Sequence, residues 1–330
     1  MPVGISVLMP VYNGSLFLDD TLKSLLNQTS KDFEVICIDD SSLDNSLEIL
    51  KKYAEKDKRI KVFSKTNEGS ASKAVNFGLK FAQGEYLMYT SQDDLFSNNL
   101  LKVNYNTAKK ENADIVVPNM VFYYPNNKNK TGLYGLLGSY DKTITGEEAF
   151  SLSLNWQIHG FILFKRNLLD NFGSKFFDFN INSDEFTTRM LYFFAKKVVF
   201  TNEDFYYRQN NPNAITKKWN PRLLESFDTA YELENFTKKK SPNKDKDIVK
   251  VWETLYNELM RISFIFYQNR KFLSKQEAKE IEKQLKKVYT LNRKKFMDIN
   301  LYNFKRNKIK SIITLDYFFL KTYCLIRNIF

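Results

Sequence analysis

Three acidic pairs in this chain have the residue types and surroundings to do chemistry. Asp39-Asp40 and Asp93-Asp94 each close a short apolar run, and Asp184-Glu185 opens an amphipathic stretch. Carboxylates are hard oxygen donors, so Asp93 and Asp94 suit Mg²⁺ or Mn²⁺, an ion that bridges phosphates and neutralises a departing diphosphate. Asp39 and Asp40 could accept hydrogen bonds from a base N–H or a ribose hydroxyl, which is recognition rather than catalysis. Asp184 or Glu185 could take the proton of an attacking hydroxyl; the residues alone leave open which of the two does. Arg208 and Lys217 suit phosphate oxygens, because a guanidinium can hold two of them at once. Trp156 and His159 precede an apolar run and offer flat rings for stacking on a sugar. Each feature also has an ordinary structural reading. Aspartates cap helices, acidic residues in a first turn complement the helix dipole, a lone histidine is commonly a satisfied structural residue, and a basic loop can be merely solvated.

The elements that must position these residues are legible as alternation. Runs at 5–9, 33–38, 60–63, 85–89 and 114–117 are bounded by Pro, Gly, Asn or Asp and have the length of buried strands. Between them, Leu18, Thr21, Leu22, Leu25 and Leu26, and then Ala71, Ala74, Val75, Phe77, Gly78 and Phe81, recur at helical spacing. This predicts an α/β fold, a mostly parallel sheet with helices on both faces. Such sheets bind ligands at the carboxyl ends of their strands. Four successive polar runs fall there: Pro10-Val11-Tyr12-Asn13, Asp39-Asp40-Ser41-Ser42, Asn67-Glu68-Gly69 and Ser91-Gln92-Asp93-Asp94. One such run is a turn; four together imply a site. The Asn-, Lys-, Gly- and Tyr-rich segment 123–139 predicts a long loop or hairpin that approaches a ligand.

Read in order, Val7-Leu8-Met9-Pro10-Val11-Tyr12-Asn13, Ser24-Leu25-Leu26-Asn27-Gln28-Thr29, Phe33-Glu34-Val35-Ile36-Cys37-Ile38-Asp39-Asp40-Ser41-Ser42, Asn67-Glu68-Gly69 and Ala82-Gln83-Gly84-Glu85-Tyr86-Leu87 resemble the blocks of the family 2 glycosyltransferases of the GT-A fold. The resemblance is specific over residues 3 to about 100, thins through 220 and ends there. It implies a nucleotide-sugar donor, usually UDP-linked, and inversion at the anomeric carbon. It implies Pro10, Val11, Tyr12 and Asp40 around the base, Asn13, Asp39, Asn67, Gly69 and Lys73 elsewhere on the nucleotide sugar, and Asp93 and Asp94 at the metal and diphosphate. It places an acidic pair followed by an arginine at Asp184, Glu185 and Arg189, with Asp184 the favoured base. It also places a Tyr-Arg loop at Tyr206-Tyr207-Arg208, with Arg208 and Lys217 as diphosphate clamps. One position departs: the family's aspartate motif commonly begins with Asp where this chain has Ser91, and a hydroxyl is a weaker metal partner.

Composition bounds the rest. The chain has 330 residues, 43% hydrophobic and 15% aromatic, which excludes disorder as its main theme. Two cysteines, Cys37 and Cys324, and one histidine exclude a disulfide framework, a thiolate zinc site and an imidazole metal cluster. The start, Met-Pro-Val-Gly and then a strand, lacks the pattern of a signal peptide, so a reducing cytoplasmic setting is expected. Net charge is +12, and 270–310 holds fourteen Lys/Arg against four Asp/Glu. Segment 311–330 is apolar but carries Asp316, Lys321 and Arg327, which suits lying on an anionic membrane surface, or docking on the protein, better than spanning a bilayer. We therefore expect a catalytic domain over 1–220 and a basic, aromatic, helical region over 221–330. No Gly-x-Gly-x-x-Gly follows the first strand, which excludes a dinucleotide dehydrogenase. The lack of Gln-x-x-Arg-Trp argues against a processive synthase, and a glycoside hydrolase has no use for the base-binding turn. The expected activity is a non-processive, inverting sugar transfer to a glycan or lipid-linked acceptor in capsule, lipopolysaccharide or related surface-glycan synthesis, with no nucleic acid as partner. The competing reading is a nucleic-acid-binding protein on a degenerate nucleotide fold, its 270–310 stretch the binding face.

Overall fold

The computed structural model describes residues 3–125, 131–178, 181–212, 214, 219–303 and 316–327. Two compact units are present, Met1–Phe179 with Ser183–Asn211, and Asn180–Asn182 with Pro212–Phe330.

The first unit is a mixed α/β layer. In chain order it contains β1 (Ile5–Val11), α1 (Ser15–Leu26), β2 (Phe33–Asp39), α2 (Ser46–Lys56), β3 (Ile60–Ser64), α3 (Ala71–Leu79), β4 (Tyr86–Tyr89), β5 (Leu95–Phe96), α4 (Leu100–Glu111) and β6 (Ile115–Tyr123). There follow β7 (Thr131–Leu133), β8 (Thr143–Ile144), α5 (Gly146–Ser153), β9 (Leu163–Lys165), α6 (Ser183–Phe194) and β10 (Val198–Arg208). The sheet order is β3-β2-β1-β4-β9-β6-β10-β5, with β7 paired to β6 and β8 to β10. All seven residues of β2 are buried, as expected of a strand covered on both faces. Leu18, Leu22 and Leu25 of α1 and Leu100, Leu101 and Ala108 of α4 pack with β1, β2 and β4 into one core.

The ladders joining β1 to β2 and β4, β2 to β3, and β6 to β10 are parallel. The apolar run beginning at Phe161 yields β9, which enters antiparallel to both β4 and β6. That reversal makes the sheet mixed and brings the segment just before β9, Trp156 to Gly160, to the same end as the strand termini of β4 and β10. Segment 123–139 begins as the end of β6 and returns as β7, antiparallel to it. Buried Asn119 fixes the return, its Oδ1 accepting from Gly135 N and from Tyr140 Oη, both at 3.1 Å.

The second unit is helical: α7 (Ser226–Lys240), α8 (Lys244–Asn269), α9 (Lys275–Asn303) and α10 (Tyr317–Arg327). Ala278, Ile281, Leu285, Tyr289, Phe296 and Ile299 form the buried seam of α9, and its lysines lie mostly on the opposite face. Buried Glu234 of α7 accepts from Lys238 at 2.6 Å, Lys295 at 2.7 Å and Trp252 Nε1 at 3.1 Å, so one carboxylate ties α7 to α8 and α9. Among the described residues no helix is long and apolar enough to cross a membrane. Both cysteines are buried and neither is in a disulfide.

Candidate active site

The polar runs at the ends of β1, β2 and β4 are bound to one another. The carboxamide of Gln92 clasps Tyr12, accepting from its backbone N–H at 2.8 Å and donating to its carbonyl at 3.0 Å. Gly14 lies so close to that carboxamide that a Cβ there would overlap it. Asn13, in left-handed backbone at φ 50, accepts from Leu43 N at 2.8 Å through its side chain, and its own N–H donates to Ser42 Oγ at 3.1 Å. Pro10 is partly buried, Val11 buried, and Tyr12 exposed by 45%, leaving a ring free at the rim.

Asp39 is buried and accepts from Ser42 N at 3.3 and 3.4 Å, so its carboxylate shapes its own turn. Asp40 pairs with Lys65 at 3.0 Å, and Lys65 also meets Glu68 at 2.9 Å. The sequence reading did not single out Lys65, which now sits over the carboxylate assigned to the base. Asn67 and Gly69 are exposed; the Asn67 side chain accepts from Gly69 N at 2.6 Å in a turn whose φ of 68 suits glycine. Lys73 is partly buried in the first turn of α3, below the cap Ser70. Lys217 lies outside the described residues.

At the end of β4, Asp94 is fully buried. Its Oδ1 accepts from Arg208 N at 3.1 Å, while its Oδ2 has no hydrogen-bond partner. Burial first, and the neighbouring Asp93 second, push the Asp94 carboxyl up to about 8. Asp93 is partly exposed and accepts from Asn211 Nδ2 at 2.7 Å. A buried carboxyl oxygen without a partner, beside a second carboxylate, is a donor set that a hard cation satisfies once the proton has left. The described residues hold no cluster of three or more His, Cys, Asp or Glu able to hold a metal, so phosphate and water oxygens would complete a coordination sphere here.

Arg208 is not open to solvent. Its Nε donates to the Asp93 carbonyl at 2.7 Å, its Nη2 to Asp20 at 3.2 Å, and its guanidinium lies over the rings of Phe17 and Tyr123, at 4.5 and 5.1 Å from their centroids. The residue assigned as a diphosphate clamp thus braces the turn that carries both aspartates.

Asp184 opens α6 and lines a cavity of about 150 Å³. Burial, then the charge of Glu185, push it up to about 6, against the pull of the backbone N–H groups at the helix start. Glu185 is committed elsewhere, its carboxylate accepting from Arg189 Nη1 at 3.0 Å. Trp156 lines the same cavity in left-handed backbone at φ 60. His159 lines it too, but both ring nitrogens are engaged: Nε2 with the Pro118 carbonyl at 2.8 Å and Nδ1 accepting from Phe161 N at 3.1 Å. Burial holds the imidazole down at about 4, so near neutral pH it is an uncharged structural ring.

Two residues to which the sequence reading gave no role join these groups. Tyr89 and Tyr207 line the cavity, and each feels the charges of Asp184, Asp93 and Asp94. Burial, reinforced by those charges, raises both, Tyr207 to about 12, so they stay neutral hydrogen-bond donors. Tyr89 is the last residue of β4 and Tyr207 the penultimate residue of β10, a position at the strand edge that was the available signal.

The Glycosyl transferase family 2 profile matches residues 6–173, half of the chain. The chain belongs to that family. The glycosyltransferase is 28% identical to glycosyltransferase GlyG of Streptococcus pneumoniae over 244 residues, 68% of this chain and 78% of that protein. It is 44% identical to the cholesterol galactosyltransferase of Borreliella burgdorferi over 149 residues, 44% of this chain and only 40% of that protein. Staphylococcus aureus TarS 1–349, crystallised with UDP-GlcNAc, has the same GT-A fold: TM-score 0.63 at 17% identity, covering 94% of this chain and 89% of that one.

Proposed function

We propose that this glycosyltransferase is a non-processive, inverting enzyme that moves a sugar from a UDP-linked donor to a hydroxyl of a glycan or lipid-linked acceptor in bacterial surface-glycan synthesis. The observation that carries the reading is that Asp184, Tyr89 and Tyr207 line one cavity, and that both phenols also feel the charges of Asp93 and Asp94 at the end of β4. Tyr12, Val11 and Asp40 would receive the base and ribose. The acceptor oxygen would attack the anomeric carbon while the bond from that carbon to the diphosphate breaks, the electron pair leaving with the nucleotide and the hydroxyl proton passing to Asp184. Asp93 and Asp94 would hold Mn²⁺ or Mg²⁺, which neutralises the leaving diphosphate. Arg208 would act by holding the aspartate turn. Without acceptor, nucleotide release from a panel of UDP-, GDP- and dTDP-linked sugars should show at least one UDP-sugar hydrolysed with a requirement for divalent cation. Silence across the whole panel would overturn the reading.

We further assign the chemistry to residues 1–220 and contact with the inner face of the cytoplasmic membrane to 221–330. In support, α10 packs Tyr317, Leu320 and Cys324 into the helical core and leaves Phe318, Phe319 and Leu325 exposed, while α9 exposes Lys283, Lys286, Lys287 and Lys294. The protein should sediment with phosphatidylglycerol vesicles, and Phe318→Ser with Phe319→Ser should release it; unchanged partitioning of the double variant would sink the assignment.

A further inference from the structure

The cavity beside Asp184 bears on the chemical class of the acceptor. Its walls combine rings, Trp156, Phe161, Tyr89 and Tyr207, with short hydroxyl side chains, Ser91, Ser153 and Thr188. Gly160 brings its backbone against Thr188, where an added Cβ would stand 3.0 Å from that side chain, so the wall closes tightly there. The charged groups among the described lining residues are Asp184, Glu185 and Arg189, and Arg189 is already bonded to Glu185 at 3.0 Å. The described lining therefore presents two carboxylates, Asp184 and Glu185, against one cation, Arg189, whose Nη1 is held by Glu185.

We propose that the acceptor hydroxyl is carried by a neutral pyranose stacked on Trp156, and not by a phosphate-bearing polyol or a sterol. The inference rests on the transferase reading above and concerns the same site. The face of an aromatic ring is negative and attracts the positive C–H edge that one side of a pyranose presents. The remaining hydroxyls of such a ring have partners in the seryl, threonyl and tyrosyl oxygens, the mix of apolar wall and few convergent polar groups that orients a small ligand. A phosphate next to the acceptor hydroxyl would instead meet a wall where two carboxylates, Asp184 and Glu185, outnumber the one cation, Arg189. A sterol would fill the aromatic part but offers one oxygen to a wall that carries several hydroxyls and a carboxylate, a poorer match than a ring with several hydroxyls. Trp156 is well placed to select: it is 42% exposed yet lines the cavity, so its indole stands at the mouth.

With a nucleotide sugar that the protein hydrolyses, transfer to octyl glucoside, octyl galactoside, ribitol 5-phosphate and cholesterol in detergent is compared by kcat/KM. A pyranoside should exceed both others by about tenfold or more, the size of one well-made stacking contact. Trp156→Gly, which deletes the ring and suits the left-handed backbone, should raise the pyranoside KM by about tenfold, and Trp156→Tyr should recover most of the loss. Preference for ribitol 5-phosphate or cholesterol while nucleotide release persists overturns the acceptor class and spares the transferase reading. An unchanged pyranoside KM in Trp156→Gly also overturns it. Loss of nucleotide release from every donor overturns the transferase reading itself, and this inference with it.

Discussion

Asp184→Asn is expected to slow transfer by about 10²–10⁴-fold, the usual contribution of a positioned general base, while UDP affinity changes by no more than about twofold. The split follows from place: Asp184 faces the cavity proposed for the acceptor, and the nucleotide would be held by the β1, β2 and β4 turns. The pH profile supplies a second signature. Burial pushes Asp184 up to about 6, and a base works only when ionised, so kcat/KM should fall about tenfold per pH unit below that value and level off above it. Asp184→Asn should erase the slope. Glu185→Gln removes the charge that helps raise Asp184, so the acid limb should move to lower pH with a much smaller loss of rate. Near-total loss in Glu185→Gln with a mild Asp184→Asn would exchange the two roles. Parallel loss of UDP binding and transfer in Asp184→Asn would mean that the carboxylate merely stabilises the start of α6.

What the chain discloses before folding is what local pattern encodes. Short apolar runs with polar residues at their ends mark strands and their carboxyl termini, so β1 to β4 and the turns after them could be read within a residue or two. Contacts made across long sequence separations could not. Gln92 grips Tyr12 from 80 residues away, and Arg208 reaches Asp93 across 115 and Asp20 across 188. An arginine before an Asn-rich loop looks like a free phosphate ligand until folding surrounds it with Phe17 and Tyr123. The reversed sense of β9 was likewise hidden, because an apolar run of that length has no direction in sequence. The same reversal is what carries Trp156 and His159 to the cavity beside Asp184, so those two residues could be chosen by type while their different places, one ring at the mouth and one locked in the wall, could not.

Asp94→Asn should separate stability from activity at the proposed metal site. In the metal-free protein the Asp94 carboxyl, buried with one unpartnered oxygen beside Asp93, is held protonated near neutral pH at a cost to folding, and a neutral side chain of the same shape removes that cost. In EDTA the variant should therefore melt above the parent, by an amount corresponding to about 1–3 kcal/mol. Excess Mn²⁺ should reverse the order. A cation at 100 times its Kd stabilises the fold it binds by about 2.7 kcal/mol, a gain open to the parent and closed to the variant. Transfer should fall about a thousandfold in either Asp93→Asn or Asp94→Asn, equivalent to about 4 kcal/mol of lost stabilisation of the departing diphosphate. Ser91→Asp, which supplies the carboxylate common in the family at that position, should lower the Mn²⁺ concentration needed for half-maximal rate. The parent's melting temperature and rate could instead prove indifferent to Mn²⁺ and EDTA. The aspartate pair would then serve only to shape the turn that Arg208 braces, and charge on the leaving group would have to be met by cationic side chains alone.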